Sequence, residues 1–147
     1  MSVLKRGLRA AAILSAPVVI AAAVLVTTQP AAAADAKGVW ARPSGTSRIQ
    51  ISSCGKALCG KLVWLKNPRK DDKNPDKSKR DRPLLGVQTV INMVPSGDDS
   101  WKGKVYNAED GKTYKGVMEL TAPNKLKLEG CVLGGLICKG ETWNRYR

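Results

Sequence analysis

The sequence predicts an all-β protein: a small antiparallel up-and-down β-barrel of about eight strands, preceded by a signal peptide. Three observations carry that reading. From residue 37 onward apolar and polar residues alternate with period two, and turn residues separate the runs. No mature segment sustains a 3.6-residue period over three turns.

Strands are expected at about 37–41, 46–53, 59–65, 85–94, 100–107, 112–121, 124–132 and 136–146. In the second, Ile49 and Ile51 alternate with Arg48 and Gln50. The third and fourth flank a charged segment. In the fifth, Trp101, Gly103 and Val105 oppose Lys102, Lys104 and Tyr106. In the sixth, Tyr114, Gly116, Met118 and Leu120 share a face opposite Lys115, Val117 and Glu119. In the seventh, Leu126 and Leu128 alternate with Lys125, Lys127 and Glu129. One polar face and one apolar face is the pattern of antiparallel strands half buried on a common core. Pro43-Ser44-Gly45, Pro95-Ser96-Gly97-Asp98, Glu109-Asp110-Gly111, Pro123-Asn124 and Gly134-Gly135 lie where the turns are needed. Closing the sheet into a barrel removes its edges.

Residues 1–34 read as a cleaved signal peptide: Lys5, Arg6 and Arg9, then an apolar run over 10–26, then Ala31-Ala32-Ala33-Ala34. Residues 35–147 are left as a single β-barrel domain, enough for one domain and too few for two. The chain is exported, to the periplasm or beyond. Its formal charge of +13 falls to +10 once Lys5, Arg6 and Arg9 are removed. A charge of that sign attracts anionic envelope components.

Four cysteines form two close pairs, Cys54 with Cys59 and Cys131 with Cys138. In an exported domain these are structural disulfides, and hairpin tips between the members of each pair favour local bonding over the other connectivities. A zinc site is disfavoured by the spacing, and Cys-x-x-Cys is absent. The chain has no histidine, which removes Ser-His-Asp and Cys-His nucleophile systems and histidine metal sites. Asp72, Asn74, Asp76 and Ser78 mimic the start of a calcium loop, but Lys77 replaces the turn glycine and Pro83 the closing glutamate. Gly111-Lys112-Thr113 lacks the leading glycine of a phosphate loop. No metal, cofactor or catalytic set is expected.

The segment 66–82 has eight basic and four acidic side chains and no apolar residue except proline. It is expected to be a solvated loop. The tryptophans Trp40, Trp64, Trp101 and Trp143 are expected as core anchors, and nucleic acid is disfavoured as a partner.

Several motifs resemble those of a family of small exported bacterial proteins carrying a domain of unknown function. They are Cys54-Gly-Lys-Ala-Leu-Cys59-Gly60-Lys-Leu-Val-Trp64-Leu, Asn67-Pro68, Arg82-Pro83-Leu84-Leu85-Gly86, Glu109-Asp110-Gly111-Lys112-Thr113-Tyr114 and Thr142-Trp143-Asn-Arg145. The resemblance spans about residues 37–147. It implies a compact barrel related to the calycins, the lipocalin group. Gly38-Val39-Trp40 then resembles the lipocalin Gly-x-Trp, with Arg145 closing the barrel over Trp40.

The function expected is a non-enzymatic binding or envelope-associated module. A small apolar or amphipathic ligand would meet Trp101, Val105, Tyr114, Met118, Leu120, Leu126 and Leu128. The alternative is contact with an anionic envelope surface through Lys66, Arg69, Lys70, Lys73, Lys77, Lys79, Arg80 and Arg82.

Overall fold

The computed structural model describes residues 35–147; the expected signal peptide lies outside the described residues. Eight strands follow one another: β1 (Gly38–Ala41), β2 (Ser47–Cys54), β3 (Ala57–Leu65), β4 (Gln88–Gly97), β5 (Ser100–Asn107), β6 (Lys112–Ala122), β7 (Lys125–Val132) and β8 (Ile137–Arg145). Each pairs antiparallel with the next. β8 returns to β1 through Trp40 opposite Arg145 and Ala41 opposite Asn144, which closes the barrel. Up-and-down order sorts the connections. The turns after β1, β3, β5 and β7 gather at one rim. Those after β2, β4 and β6 share the other with Gly38 and Arg145.

Both boundaries of β4 differ from the sequence expectation by three residues, and no other boundary by more than two. β4 starts at Gln88 instead of residue 85, because Leu84 and Val87 are buried ahead of it as anchors of the preceding connection. It also runs through Pro95 to Gly97, with Pro95 opposite Trp101 and Gly97 opposite Ser100, so the turn contracts to Asp98-Asp99. Within it the register shifts between Ile91 and Val94, where Asn92 has φ 47°. A bulge bends a strand, as a small barrel requires.

The core is continuous at the closed rim. Trp40, Val90, Met93, Met118 and Leu126 are fully buried there, and Ile51 nearly so. Trp143 is buried as well, whereas Trp64 and Trp101 are only half-buried. The Arg48 guanidinium lies 4.3 Å from the centre of the Trp64 ring.

Arg145 latches this end. Its guanidinium lies 4.2 Å from the centre of the Trp40 ring and donates to the carbonyls of Pro123 (2.8 Å), Lys37 (2.8 Å) and Asp35 (2.6 Å). Trp40 Nε1 donates to Ala36 O at 2.8 Å. Gly38, at φ 129°, gives the guanidinium room: a Cβ there would sit 2.9 Å from Arg145.

The 66–87 connection is built differently from the solvated loop expected. Lys70 and Pro83 form a bridge, Asp71 N donates to Arg82 O, and Leu84 N donates to Arg69 O. Asp71 has no exposed surface and Asn74 is buried. A run without apolar residues is folded here because its own carboxylate collects partners, as described below.

Candidate functional site

The rim opposite Arg145 opens into a cavity of about 930 Å³. Its walls follow from the strand alternation. Ile49 and Leu62 line it from β2 and β3, Val105 and Tyr114 from β5 and β6, and Leu128 and Trp143 from β7 and β8. Leu65 and Leu84 complete the apolar lining.

Polar groups interrupt these walls. Arg42 forms a two-pronged ion pair with Glu141, Nε to Oε1 and Nη2 to Oε2, the second at 3.0 Å. Trp143 Nε1 also donates to Glu141 Oε1, at 2.7 Å. Ser47, 4% exposed, carries a buried hydroxyl with no partner among the described residues. It lines the same cavity. A buried hydroxyl without a protein partner is a point at which a ligand oxygen or nitrogen can bond. Lys139 lines the wall and forms no ion pair among the described residues.

The carboxylates that line the cavity all have partners. Glu141 holds Arg42, Glu109 holds Arg69 at 2.5 Å, and Asp110 accepts from the Tyr114 hydroxyl at 2.5 Å. Burial opposes charge on Asp110, yet the bonds from Tyr114 and the Lys112 amide bring its pKa below the ordinary 3.8. A general base needs the opposite shift.

A second polar cluster lies beside the cavity and fastens the 66–87 connection to β5. Asp71 accepts from the Tyr106 hydroxyl (2.5 Å), from Asn74 Nδ2 (2.8 Å) and from Arg82 Nε and Nη2 (3.0 and 2.7 Å). Burial opposes its charge, but these donors hold its pKa below the usual carboxylate value. Burial first, and then the bond to Asp71, push the Tyr106 phenol up to about 12. The connection also presses on the β5–β6 turn: a Cβ on Gly111 (φ 71°) would sit 1.8 Å from the Lys73 carbonyl oxygen. Tyr106, which the alternation assigns to the polar face, is therefore buried by a neighbouring segment. No periodicity signals that.

Of the ligand-facing residues expected from sequence, the structure gathers Val105, Tyr114 and Leu128 in the cavity wall. Met118, Leu120 and Leu126 are buried in the packed core, and Trp101 is half-buried against it. Sequence reasoning missed Arg42, Ser47, Lys139 and Glu141. Glu141 and Lys139 do fall on the period of Trp143, a signal the polar side chains obscure.

The eight basic residues of the 66–82 segment are not brought to one face as free charges. Arg69, Lys70, Lys79 and Arg82 pair with Glu109, Asp81, Asp76 and Asp71. Lys66, Lys73, Lys77 and Arg80 form no ion pair among the described residues, and Arg80 donates to Asn74 O at 2.8 Å. The cysteines bond locally, Cys54 with Cys59 and Cys131 with Cys138. The first clips the β2–β3 hairpin at the closed rim and the second the β7–β8 hairpin at the mouth. Among the described residues no group of three or more His, Cys, Asp or Glu side chains could hold a metal ion.

Comparison with solved structures finds protein HP1028 from Helicobacter pylori, described as belonging to the lipocalin family. It superposes with a TM-score of 0.69 over 77% of this chain and 84% of that one, at 23% sequence identity. At that identity the likeness concerns the fold: a closed eight-stranded lipocalin-like barrel. A search of curated proteins finds no match. Residues 38–145, the whole barrel, match the profile of a bacterial family described as "Uncharacterized protein conserved in bacteria (DUF2147)", and the chain belongs to that family.

Proposed function

We propose that the protein is an exported, non-enzymatic binding module that takes a small amphipathic molecule into the mouth of its barrel. The carrying observation is the cavity: about 930 Å³, its wall divided between apolar side chains and polar or charged ones, with an unpartnered hydroxyl inside. That volume lies within the range of small-molecule sites, roughly 300–1,000 Å³, and a wall of mixed character suits a molecule with both an apolar and a polar part. The apolar part of the ligand packs on Ile49, Leu62, Val105 and Leu128. Its polar end bonds Ser47 and meets Lys139, a combination that favours an anionic or zwitterionic head.

Export fits the two disulfides, which persist in the oxidising space outside the cytoplasm. The rival reading, a polyanion contact through residues 66–82, is weakened by the internal pairing of Arg69, Lys70, Lys79 and Arg82.

Titration with dansyl-labelled undecanoic acid tests the proposal. The expected result is saturable one-site binding that Val105→Trp and Leu128→Trp each weaken at least about tenfold by filling the cavity. Absence of saturation, or binding indifferent to both variants while their melting is cooperative, overturns it.

A further inference from the structure

The tip of the β7–β8 hairpin places its largest apolar side chains in water. Leu133 is 68% exposed and Leu136 87%, while Val132 and Ile137 at its base are about half exposed. Folding does not account for leucine at these positions. Burial contributes little to either, and Leu133 sits at φ 51°, a conformation that disfavours a bulky side chain. Asparagine or glycine would suit the turn better. The tip is also stiff: Cys131 and Cys138 are bonded directly beneath it, and Val132 pairs with Ile137.

Three lysines lie on the strands that carry or flank this tip. Lys112 and Lys115 line an open groove of about 680 Å³ that Leu133 and Gly134 border. Lys139 stands two residues beyond Ile137. None of the three forms an ion pair among the described residues. The segments 111–118 and 130–140 contain no acidic residue. Asp110, in the preceding turn, is held by Tyr114 and the Lys112 amide.

We propose that the β7–β8 hairpin tip, Leu133 and Leu136 together with Lys112, Lys115 and Lys139 on the strands at its base, is a docking surface for an anionic phospholipid bilayer. Apolar side chains that enter the acyl boundary and lysines that stay among the headgroups are the two components of interfacial membrane attachment. Charge complementarity selects this occupant over a second copy of the chain, since two tips face to face would bring six unpaired lysines together. Val132, Ile137 and Lys139 also line the cavity, so docking sets the mouth against the lipid surface. The surface is distinct from the 66–82 segment; it shares Lys139 with the cavity, whereas Lys112 and Lys115 do not line the cavity.

Vesicle co-sedimentation of the whole chain tests it, with phosphatidylglycerol–phosphatidylcholine vesicles against phosphatidylcholine alone. The wild type is expected to partition onto the anionic vesicles and to be released as salt rises. The double variant Leu133→Ser/Leu136→Ser should partition about tenfold or more weakly. The triple variant Lys112→Gln/Lys115→Gln/Lys139→Gln should also lose more than about tenfold. Both replace exposed side chains and should melt like the wild type. Equal binding to both vesicle types, or partition that neither variant changes, overturns the proposal. So does concentration-dependent dimerisation that the double serine variant abolishes, which would make the tip an interface between copies. Val105→Trp separates docking from cavity binding: it should weaken dansyl-undecanoate binding at least about tenfold and leave vesicle partition in place. Loss of both would mean that the lipid is held in the cavity, against docking by the tip.

Discussion

At the closed rim Arg145 bonds three backbone carbonyls and covers a fully buried tryptophan; at the mouth Arg42 bonds a carboxylate in the wall of a cavity. The same residue type, at the end of β8 in one case and just past the end of β1 in the other, seals one end and keeps the other open. What differs is the company. Carbonyls from the N-terminal segment and the β6–β7 turn converge on Arg145, so its removal strands several groups at once. Arg42 has one partner, and both side chains remain partly accessible to water, where an ion pair contributes little stability. The closed end is therefore where stability should be concentrated, and the mouth where binding can change with little effect on the fold.

Substitutions at the two ends put that contrast at risk, and the largest effect is expected from Trp40→Ala. It should cost about 4 kcal/mol in urea unfolding, as truncation of a fully buried tryptophan does, and leave the unfolding cooperative. A loss no larger than that of a mouth substitution such as Val105→Ala would erase the distinction.

Asp71→Ala comes next, at about 3 kcal/mol. It leaves Tyr106, Asn74 and Arg82 without their common acceptor. Because the lost contacts fasten the 66–87 connection, amide exchange should accelerate there more than at the closed rim.

Removing a disulfide should cost about 2 kcal/mol at either end, since the loops are similarly short, with sequence separations of 5 and 7. Paired serine variants of each, compared by thermal melting, should lose similar amounts. The mouth variant alone should also alter vesicle partition, by loosening the apolar tip.

The smallest effects are the pH dependences. The lowered pKa of Asp71 means that its contribution is present above the ordinary 3.8 and lost as pH falls through its folded value. The raised pKa of Tyr106 has the opposite sign: its contribution is full below pH 10 and fades as pH rises towards about 12. Tyr106→Phe should abolish the alkaline loss, which stability measured between pH 9 and 12 would reveal.

Much of the barrel was legible in the sequence because its cause is local. Period-two alternation is a property of a strand alone, and it places Met118, Leu120, Leu126 and Leu128 inside without knowledge of their neighbours. Cys54 with Cys59 and Cys131 with Cys138 were readable for the same reason, each pair spanning one turn. The 66–87 connection was misread because its order comes from elsewhere. Asp71 is buried only where Tyr106, 35 positions away, meets it. Its composition is that of a solvated loop, and only Leu84 and Val87, just past the charged run, mark an anchor. The cavity was half legible. Alternation assigned Val105, Tyr114 and Leu128 to the interior, but how far the packed core rises before the space opens depends on side chains from all eight strands. Arg42 and Glu141 meet across 99 positions of sequence, beyond any local pattern.

The closed rim has a practical consequence. Lys37 and Arg147 both lie against it, since Arg145 reaches the Lys37 carbonyl and Val39 N donates to Arg147 O. The β7–β8 tip stands at the other pole, a strand length or on the order of 20 Å away. A resin, sensor chip or fluorophore coupled through Lys37 would hold the barrel upright with its mouth facing free solution. Coupling through Lys112 or Lys139 would turn the mouth towards the support.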